Sequence, residues 1–157
     1  MVAELMKTIA QDECKVELIR RLRTVRPEST ARWGRMSPHQ MLCHLSDAFR
    51  IVTGQRAVRS ASNPLRRTAV KWIALYVPLP WPAGIPTLPE LDQHGGGTPP
   101  ADFSEDVREV ESLLNQIATL PRNADWPDHP IFGRMSQAAW LRWAYRHVDH
   151  HLRQFGA

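Results

Sequence analysis

The clearest helical pattern lies at the end of the chain, where residues 137–155 read QAAWLRWAYRHVDHHLRQF. Its apolar residues recur every three or four positions, which predicts an amphipathic helix with one wide buried face. His147 and His151 belong to that face. They are four residues apart, so both rings point the same way, roughly 6 Å apart along the axis. Buried imidazoles need polar partners, so the pair indicates either a metal ion or a hydrogen-bond network.

Helical periodicity also marks four earlier segments, which we place at residues 3–23, 38–52, 64–77 and 102–120. Ser37, Pro38 and Gln40 form a capping box at the start of the second segment, and Asp102 or Ser104 can cap the fourth. Each segment has a predicted buried face. For residues 3–23 and 38–52 these faces are, respectively, Leu5, Ile9, Val16 and Ile19 with Leu18 and Leu22, and Met41, Leu45, Ala48 and Val52. For residues 64–77 and 102–120 they are Val70, Ile73, Ala74 and Val77, and Val107, Val110, Leu113, Leu114, Ile117 and Leu120.

No segment alternates in the manner of a strand, and no hairpin signal is present. We therefore expect an all-α protein, in which residues 1–157 form one four-helix bundle domain with a short extra helix. Residues 78–100 contain seven prolines and three consecutive glycines, Gly95 to Gly97. A loop of that length in a compact domain is either a lid or disordered, and its composition leaves both alternatives open.

The composition is that of an ordinary globular protein, with 43% hydrophobic and 23% charged residues. Cys14 and Cys43 do not make a disulfide framework, which favours a reducing, cytoplasmic location. Positive charge is concentrated in residues 1–76, with a net charge of +8 against −4 for residues 77–157. Aromatic residues are not interleaved with these basic residues, so a solvated surface is favoured over a nucleic-acid site.

Residues 69–85 form the only strongly apolar run, AVKWIALYVPLPWPAGI. It is too short and too rich in proline to span a membrane. We interpret it as cover for the bundle. A patch that touches a membrane or docks a partner is the alternative.

A four-residue repeat links the two histidine-bearing helices. Residues 34–37, Gly-Arg-Met-Ser, recur at residues 133–136, and each copy follows an aromatic residue and opens a helix. His44 lies seven residues after the first serine and His147 lies eleven after the second, so the two occupy equivalent helix faces. If the helices pack face to face, His44, His147 and His151 converge in the core.

Three converging imidazoles would be suitable ligands for a divalent metal ion: zinc, nickel, iron or manganese. Three protein ligands leave a coordination position open, which is typical of catalytic rather than structural sites. The ion would activate water or bind a thiolate or carbonyl of a substrate. A buried hydrogen-bond network of the same three rings is the non-metal alternative.

Two polar residues are candidates for the surroundings of this site. Asp47 lies three residues after His44 and could orient its ring, although a plain surface acid is equally compatible with its position. Gln154 follows His151 by three residues and could border the pocket. Cys43 lies about 100° from His44 around the helix axis, and we interpret it as a small core residue.

The remaining histidines fit the site less well. His150 is turned about 100° from His151 and is expected outside the ligand set. His39 is expected to be exposed in the first turn of its helix. His94 and His129 lie in predicted loops, where a contribution to a lid is the only role that suggests itself.

A family resemblance rests on motifs at both ends of the chain. These are Trp33-Gly-Arg-Met-Ser37-Pro38 with His44-Leu45, and His129-Pro-Ile-Phe-Gly133 with His147-x-x-His150-His151-x-x-Gln154-Phe155-Gly156. Together with the all-α pattern and chain length, they resemble the DinB-like superfamily, within it a bacterial branch of unassigned function. The match is loose across residues 55–100, and the Pro-rich insertion departs from the plain bundle.

The resemblance implies an up-down-down-up four-helix bundle, frequent homodimerisation, and a divalent metal on His44, His147 and His151. Relatives of this kind include isomerases and transferases that use low-molecular-weight thiols, and metal-dependent hydrolases. We therefore expect a cytoplasmic enzyme acting on a small molecule, with water or a thiol cosubstrate. The alternative is a non-catalytic stress-response or partner-binding bundle with a histidine core network. Nucleic-acid binding rests on the high pI alone and is not expected.

Overall fold

In a computed structural model, residues 7–157 are described, and these residues form five α-helices and no β-strand. The helices are α1 (Asp12–Leu22), α2 (Pro38–Val52), α3 (Lys71–Tyr76), α4 (Phe103–Thr119) and α5 (Gln137–Gln154). The all-α prediction is confirmed. No helix within residues 7–157 is long and apolar enough to cross a membrane.

The helices α2 and α5 begin in the same way. Ser37 and Ser136 are their N-caps, and each hydroxyl accepts a hydrogen bond from the backbone N–H three residues later. Gly34 and Gly133 both have positive φ angles, 77° and 64°, as the tight turn before each cap requires. The repeated sequence thus forms the same turn and cap twice. Positions at equivalent helical spacing from Ser37 and Ser136 therefore lie on equivalent faces of the two helices.

The core is centred on α2, which packs most extensively against α4. Twelve of the 15 residues of α2 are buried, so the predicted stripe is confirmed and burial extends well beyond it. The helix α5 contributes Trp140, Trp143 and Leu152 to the same core. Each fully buried side chain of this size stabilises the fold by about 1.5–3 kcal/mol. The central position of α2 is what carries His44 deep into the protein.

The first helix is shorter than predicted. It begins at Asp12, residues 7–11 are not helical, and residues 3–6 lie outside the described part of the chain. Asp12 and Glu13 occupy its first turn, where their charges complement the helix dipole. The predicted face is also wrong in one place, because Val16 is exposed and Leu18 and Leu22 are the buried residues.

The third predicted helix contains an irregularity that the periodicity does not show. Residues 66–70 form a π-helical turn that leads into α3. A π turn holds more residues than an α turn, so the faces before and after it are out of register. The predicted face is therefore wrong in part: Val70 and Ile73 are exposed and Leu75 is buried, whereas Ala74 is partly buried against the core as predicted.

The proline-rich loop packs against the bundle in its second half. Residues 89–91 form a single 3₁₀ turn, and Leu91 is buried. Arg56 donates hydrogen bonds to the carbonyls of Glu90 and Gly96, which ties the segment to the chain after α2. Residues 88–98 are called the strap below, because they cross over α2 beside His44.

Candidate metal centre

Three imidazoles meet where α2 faces α5. The Nε2 atoms of His44 and His147 lie 3.1 Å apart, and ring nitrogens of His44, His147 and His151 all lie within 4.8 Å of one another. The ring centroids are 4.8–5.1 Å apart. All three side chains are buried. The structure thus brings together the residues that the repeat and the i, i+4 spacing single out.

The ring of His44 is held by the strap. Its Nδ1 lies 3.0 Å from the backbone carbonyl oxygen of Leu91. A carbonyl oxygen can only accept, so Nδ1 carries the proton and donates it. In the neutral ring this leaves the lone pair on Nε2, the atom that faces His147.

The ring of His151 is fixed from its own helix. Its Nδ1 lies 2.9 Å from the side-chain oxygen of Gln154, and the Gln154 amide nitrogen donates to the carbonyl of Trp33. The second bond sets which end of the amide faces the histidine. His151 Nδ1 is therefore the donor, and Nε2 keeps its lone pair. Gln154, placed only near a pocket by the sequence, contacts the ring directly.

His147 lies between aromatic side chains and has an incomplete set of partners. Its ring is 4.8 Å from that of Trp143 and 6.0 Å from that of Trp81. Its Nδ1 is buried and has no hydrogen-bond partner among the described residues. Most buried polar atoms in proteins are partnered, so this nitrogen is an exception, and neither a metal ion nor a hydrogen bond at Nε2 would supply its missing partner.

Burial keeps the three rings neutral. Loss of solvation lowers the pKa of His44, and lowers the pKa of His147 and His151 well below the usual range, with the neighbouring imidazoles adding to the effect for His147 and His151. A neutral imidazole offers a lone pair, whereas an imidazolium offers none. At neutral pH the group can therefore act as a donor set for a cation.

The separation between the facing nitrogens of His44 and His147 fits a shared ion. Two histidines bound to a common metal at the usual distance hold their nitrogens about 2.9–3.4 Å apart, depending on the angle at the metal. The His44–His147 separation of 3.1 Å falls in this range. The three side chains thus form a group that could hold a metal ion.

Asp47 does not contact His44. Its carboxylate is completely buried and accepts five hydrogen bonds, from Arg50, Arg56, Gln93 and, twice, Thr98. Gln93 and Thr98 belong to the strap. Asp47 is therefore not a surface acid but an anchor for the segment that carries the Leu91 carbonyl to His44.

A cavity of about 320 Å³ reaches the histidine group from one side. His150, His151 and Gln154 line it from α5, and Arg35 and His94 line it from the two loops. Its size suits a small molecule. The strap thus contributes to the wall of this cavity as well as to the orientation of His44.

The other histidines differ in part from expectation. His150 is outside the three-ring group, with its ring 5.2 Å from that of His151 and 5.7 Å from that of Trp33. His129 is not part of a lid: it is buried, its backbone pairs with Gly133, and its ring stacks on Phe132. His129 does lie in a loop, but the sequence around it gives no sign of the aromatic residues that its ring contacts.

His39 is not free on the surface as expected. Its Nε2 lies 2.6 Å from the Asp106 carboxylate, which also accepts from the Cys43 thiol. Burial and the Asp106 charge raise the pKa of Cys43 to about 12, so the thiol stays protonated. His39, Cys43 and Asp106 are close enough to ligate an ion. Their mutual hydrogen bonds account for the cluster without one.

The chain matches no curated protein and no solved structure. A protein family does match, over a region that includes all three histidines, the strap and both copies of the repeat. Residues 7–157 match the family described as "Protein of unknown function (DUF1569)", and the chain belongs to that family.

Proposed function

We propose that this protein is a metal-dependent enzyme in which His44, His147 and His151 hold one divalent ion beside a small-molecule pocket. The observation that carries the proposal is the pair of locked tautomers. The Leu91 carbonyl accepts a hydrogen bond from His44 Nδ1–H, and the Gln154 side-chain oxygen accepts one from His151 Nδ1–H. Each of the two rings therefore keeps its lone pair on Nε2. Hydrogen bonds of this kind are the usual outer partners of metal-bound histidines.

The donor set also favours a site with open positions. Among the described residues no carboxylate or thiolate joins the three nitrogens as a fourth ligand. Three protein ligands with room for another are typical of catalytic sites. Among the candidate ions, zinc, nickel and iron are favoured, since imidazole suits them, over manganese, which prefers oxygen ligands.

The bound ion would supply Lewis acidity, which lowers the pKa of a nearby water or thiol and makes it a nucleophile at neutral pH. The chain supplies the rest. Arg35 adds positive charge to the cavity wall, and His94 and His150 can hold or release a proton there. Trp81, packed against His147 and His150, shields the rings from solvent. We propose hydrolysis or thiol transfer as the reaction class, in keeping with the DinB-like resemblance.

A second candidate is a non-catalytic bundle whose histidines form a core network. It is favoured by the same 3.1 Å separation, because that distance also suits a hydrogen bond from His147 Nε2 to His44 Nε2. His147 Nδ1 is buried without a partner in either alternative, so it does not separate them. Within residues 7–157 the network has one hydrogen bond between the rings, from His147 to His44, whereas a single ion would also use the Nε2 lone pair of His151. We therefore prefer the metal site. Homodimerisation and a cytoplasmic location stay predictions.

The proposal is tested by metal content. Protein prepared without a histidine tag is expected to contain about one divalent ion per chain by elemental analysis. His44→Ala, His147→Ala and His151→Ala should each abolish it. His150→Ala is the matched control, since His150 lies on the same helix and cavity but outside the three-ring group, and should retain the ion.

Cobalt gives a second readout. Metal-free protein titrated with Co²⁺ should develop visible absorption typical of nitrogen ligation at one equivalent, and His147→Ala should not. A wild-type protein that holds no metal and gives no cobalt spectrum would support the hydrogen-bonded network. Hydrolysis and thiol-transfer assays on the loaded protein then separate an enzyme from a metal-binding protein without catalysis.

A further inference from the structure

The surface around α3 exposes an unusual amount of apolar area. More than half of each of the side chains of Leu65, Trp72, Ile73 and Leu79 is exposed, and Tyr76 is exposed as well. These five residues are called the α3 surface. Single exposed apolar residues are common on proteins, but five within fifteen positions form a patch of the kind that marks an interaction site.

The core does not need these side chains. Leu75 is the buried residue of α3, and the partly buried Ala74 packs against the core beside it. Because the π turn before α3 shifts the register, the apolar residues on the other side of the helix face outward. The α3 surface is therefore available for a partner.

The same region is strongly positive. Between Asp47 and Glu90 the chain has no acidic residue but six basic ones. Arg66, Arg67 and Lys71 donate to the neutral oxygens of Ala61, Ser62 and Arg134. None of the three forms an ion pair within residues 7–157. Their charge is thus open to an anionic partner.

We propose that the α3 surface docks on an anionic lipid bilayer. A short helix with basic residues beside Trp, Leu and Ile is typical of segments that lie in the membrane interface. Trp72 and Tyr76 are the residue types that prefer that interface. Arg66, Arg67 and Lys71 would meet the lipid phosphates while the apolar side chains enter the acyl boundary.

The charge distribution favours a bilayer over a second copy of this chain. A two-fold contact through the α3 surface would bring Arg66, Arg67 and Lys71 of both copies into one interface, in a region whose chain has no acidic residue between Asp47 and Glu90. Like charges in that arrangement are unfavourable. An anionic bilayer offers both phosphate groups and an apolar layer, which match the two features of the surface.

Vesicle co-sedimentation tests the proposal with the full chain. The probes are vesicles of phosphatidylcholine alone and vesicles with one third phosphatidylglycerol. The wild type is expected to sediment with the anionic vesicles and not with the neutral ones. Its binding should weaken steeply in 0.5 M NaCl, because salt screens the surface charge.

Two variants separate the contributions of apolar and basic groups. Trp72→Ser combined with Ile73→Ser should weaken binding roughly tenfold or more, since both side chains would enter the apolar layer. Arg66→Gln should weaken it about fivefold. The matched controls are Val16→Ser on α1, whose side chain has the same 61% exposure as Trp72, and Arg122→Gln in another exposed loop. Both should bind as the wild type does.

Three outcomes overturn the proposal. One is equal sedimentation with neutral and anionic vesicles, and another is wild-type binding by the Trp72→Ser/Ile73→Ser variant. The third is a wild type that does not sediment but dimerises in light scattering, with the dimer lost in that variant. Circular dichroism melting checks each protein, and unchanged melting is expected because the altered side chains are exposed.

Discussion

The Nε2 atoms of His44 and His147 lie 3.1 Å apart, although 103 positions separate the two residues in the chain. The hydrogen bond from His44 Nδ1 to Leu91 puts a lone pair on one of these nitrogens. The other must therefore either donate a proton to it or share a cation with it. The position of the His147 proton therefore decides between the two alternatives: Nε2 carries it in a core network, and Nδ1 carries it in a metal centre.

Metal binding should stabilise the fold measurably. Zn²⁺ at a free concentration of 100 times its Kd is expected to add about 2.7 kcal/mol to the free energy of unfolding, because only the folded chain brings the three rings together. For a chain of this size that raises Tm by roughly 5–10 °C. Thermal melting with and without Zn²⁺ measures the shift. His150→Ala should keep it and His147→Ala should lose it; an equal shift in both variants would place the ion elsewhere.

Gln154→Ala should weaken metal binding without removing a ligand. The side chain holds His151 Nδ1 and the Trp33 carbonyl together. Loss of such an outer partner reduces metal affinity by about 10- to 100-fold. Competition with a chromophoric chelator gives the affinity. Gln137→Ala is the matched control. Gln137 also lies on α5 and donates a hydrogen bond to a backbone carbonyl, that of Leu120, but it is outside the three-ring group. Equal losses in the two variants would argue against a specific role for Gln154.

Asp47→Asn should destabilise the protein and loosen the strap. Five hydrogen bonds converge on this buried carboxylate, two of them from arginines. Removing one partner of a buried charge network costs about 3–5 kcal/mol. Urea unfolding measures the loss, and hydrogen exchange at residues 88–98 reports on the strap. Thr98→Val, which removes the hydroxyl but keeps the backbone bond, should cost less. A strap that exchanges as slowly in Asp47→Asn as in the wild type would contradict the anchoring role.

Acid should destabilise the metal-free protein through His129. Its Nδ1 accepts from the N–H groups of Ile131 and Phe132, and burial lowers its pKa to about 3. The unfolded chain binds this proton below about pH 6.5 and the folded chain does not, so stability falls as pH drops from 6.5 toward 3. The slope from this residue approaches about 1.4 kcal/mol per pH unit.

Urea unfolding at pH 7, 6 and 5 measures that slope. His129→Gln should reduce the slope by the share of His129, while His44, His147 and His151, whose pKa values burial also lowers, keep the rest. Gln137→Ala, which removes a hydrogen-bonding side chain that does not titrate, is the control and should keep the slope. An NMR titration that gives the His129 ring an ordinary pKa in the folded protein would refute the explanation.

Local signals in the sequence were sufficient for most of the fold. The bounds predicted for α2 agree with the structure. Those for α4 differ by one residue at each end, and those for α5 by one residue at its C-terminal end, because capping residues and 3.6-residue periodicity act over a few neighbours. The repeat before Ser37 and Ser136 indicated which helix faces would meet. That His44, His147 and His151 lie close together follows from such local rules; that they bind a metal stays a prediction.

The remaining features depend on contacts that have no local signal. The π turn before α3 changes which residues are buried, and the sequence of residues 66–70 contains no signal that predicts this turn. The partner of His44 is a backbone carbonyl, which every residue possesses, so no residue type points to Leu91. Asp47 bonds Thr98 across 51 positions, and spacing from His44 alone suggested a different role for it.

The anchoring of the strap by Asp47 has a consequence for the order of assembly. Until residues 88–98 are seated, nothing fixes the proton of His44 on Nδ1, and the ring exchanges between its two neutral forms. A partly folded chain therefore lacks one committed lone pair. If the three histidines hold an ion, as we propose, closure of the strap is the step that completes the donor set for it.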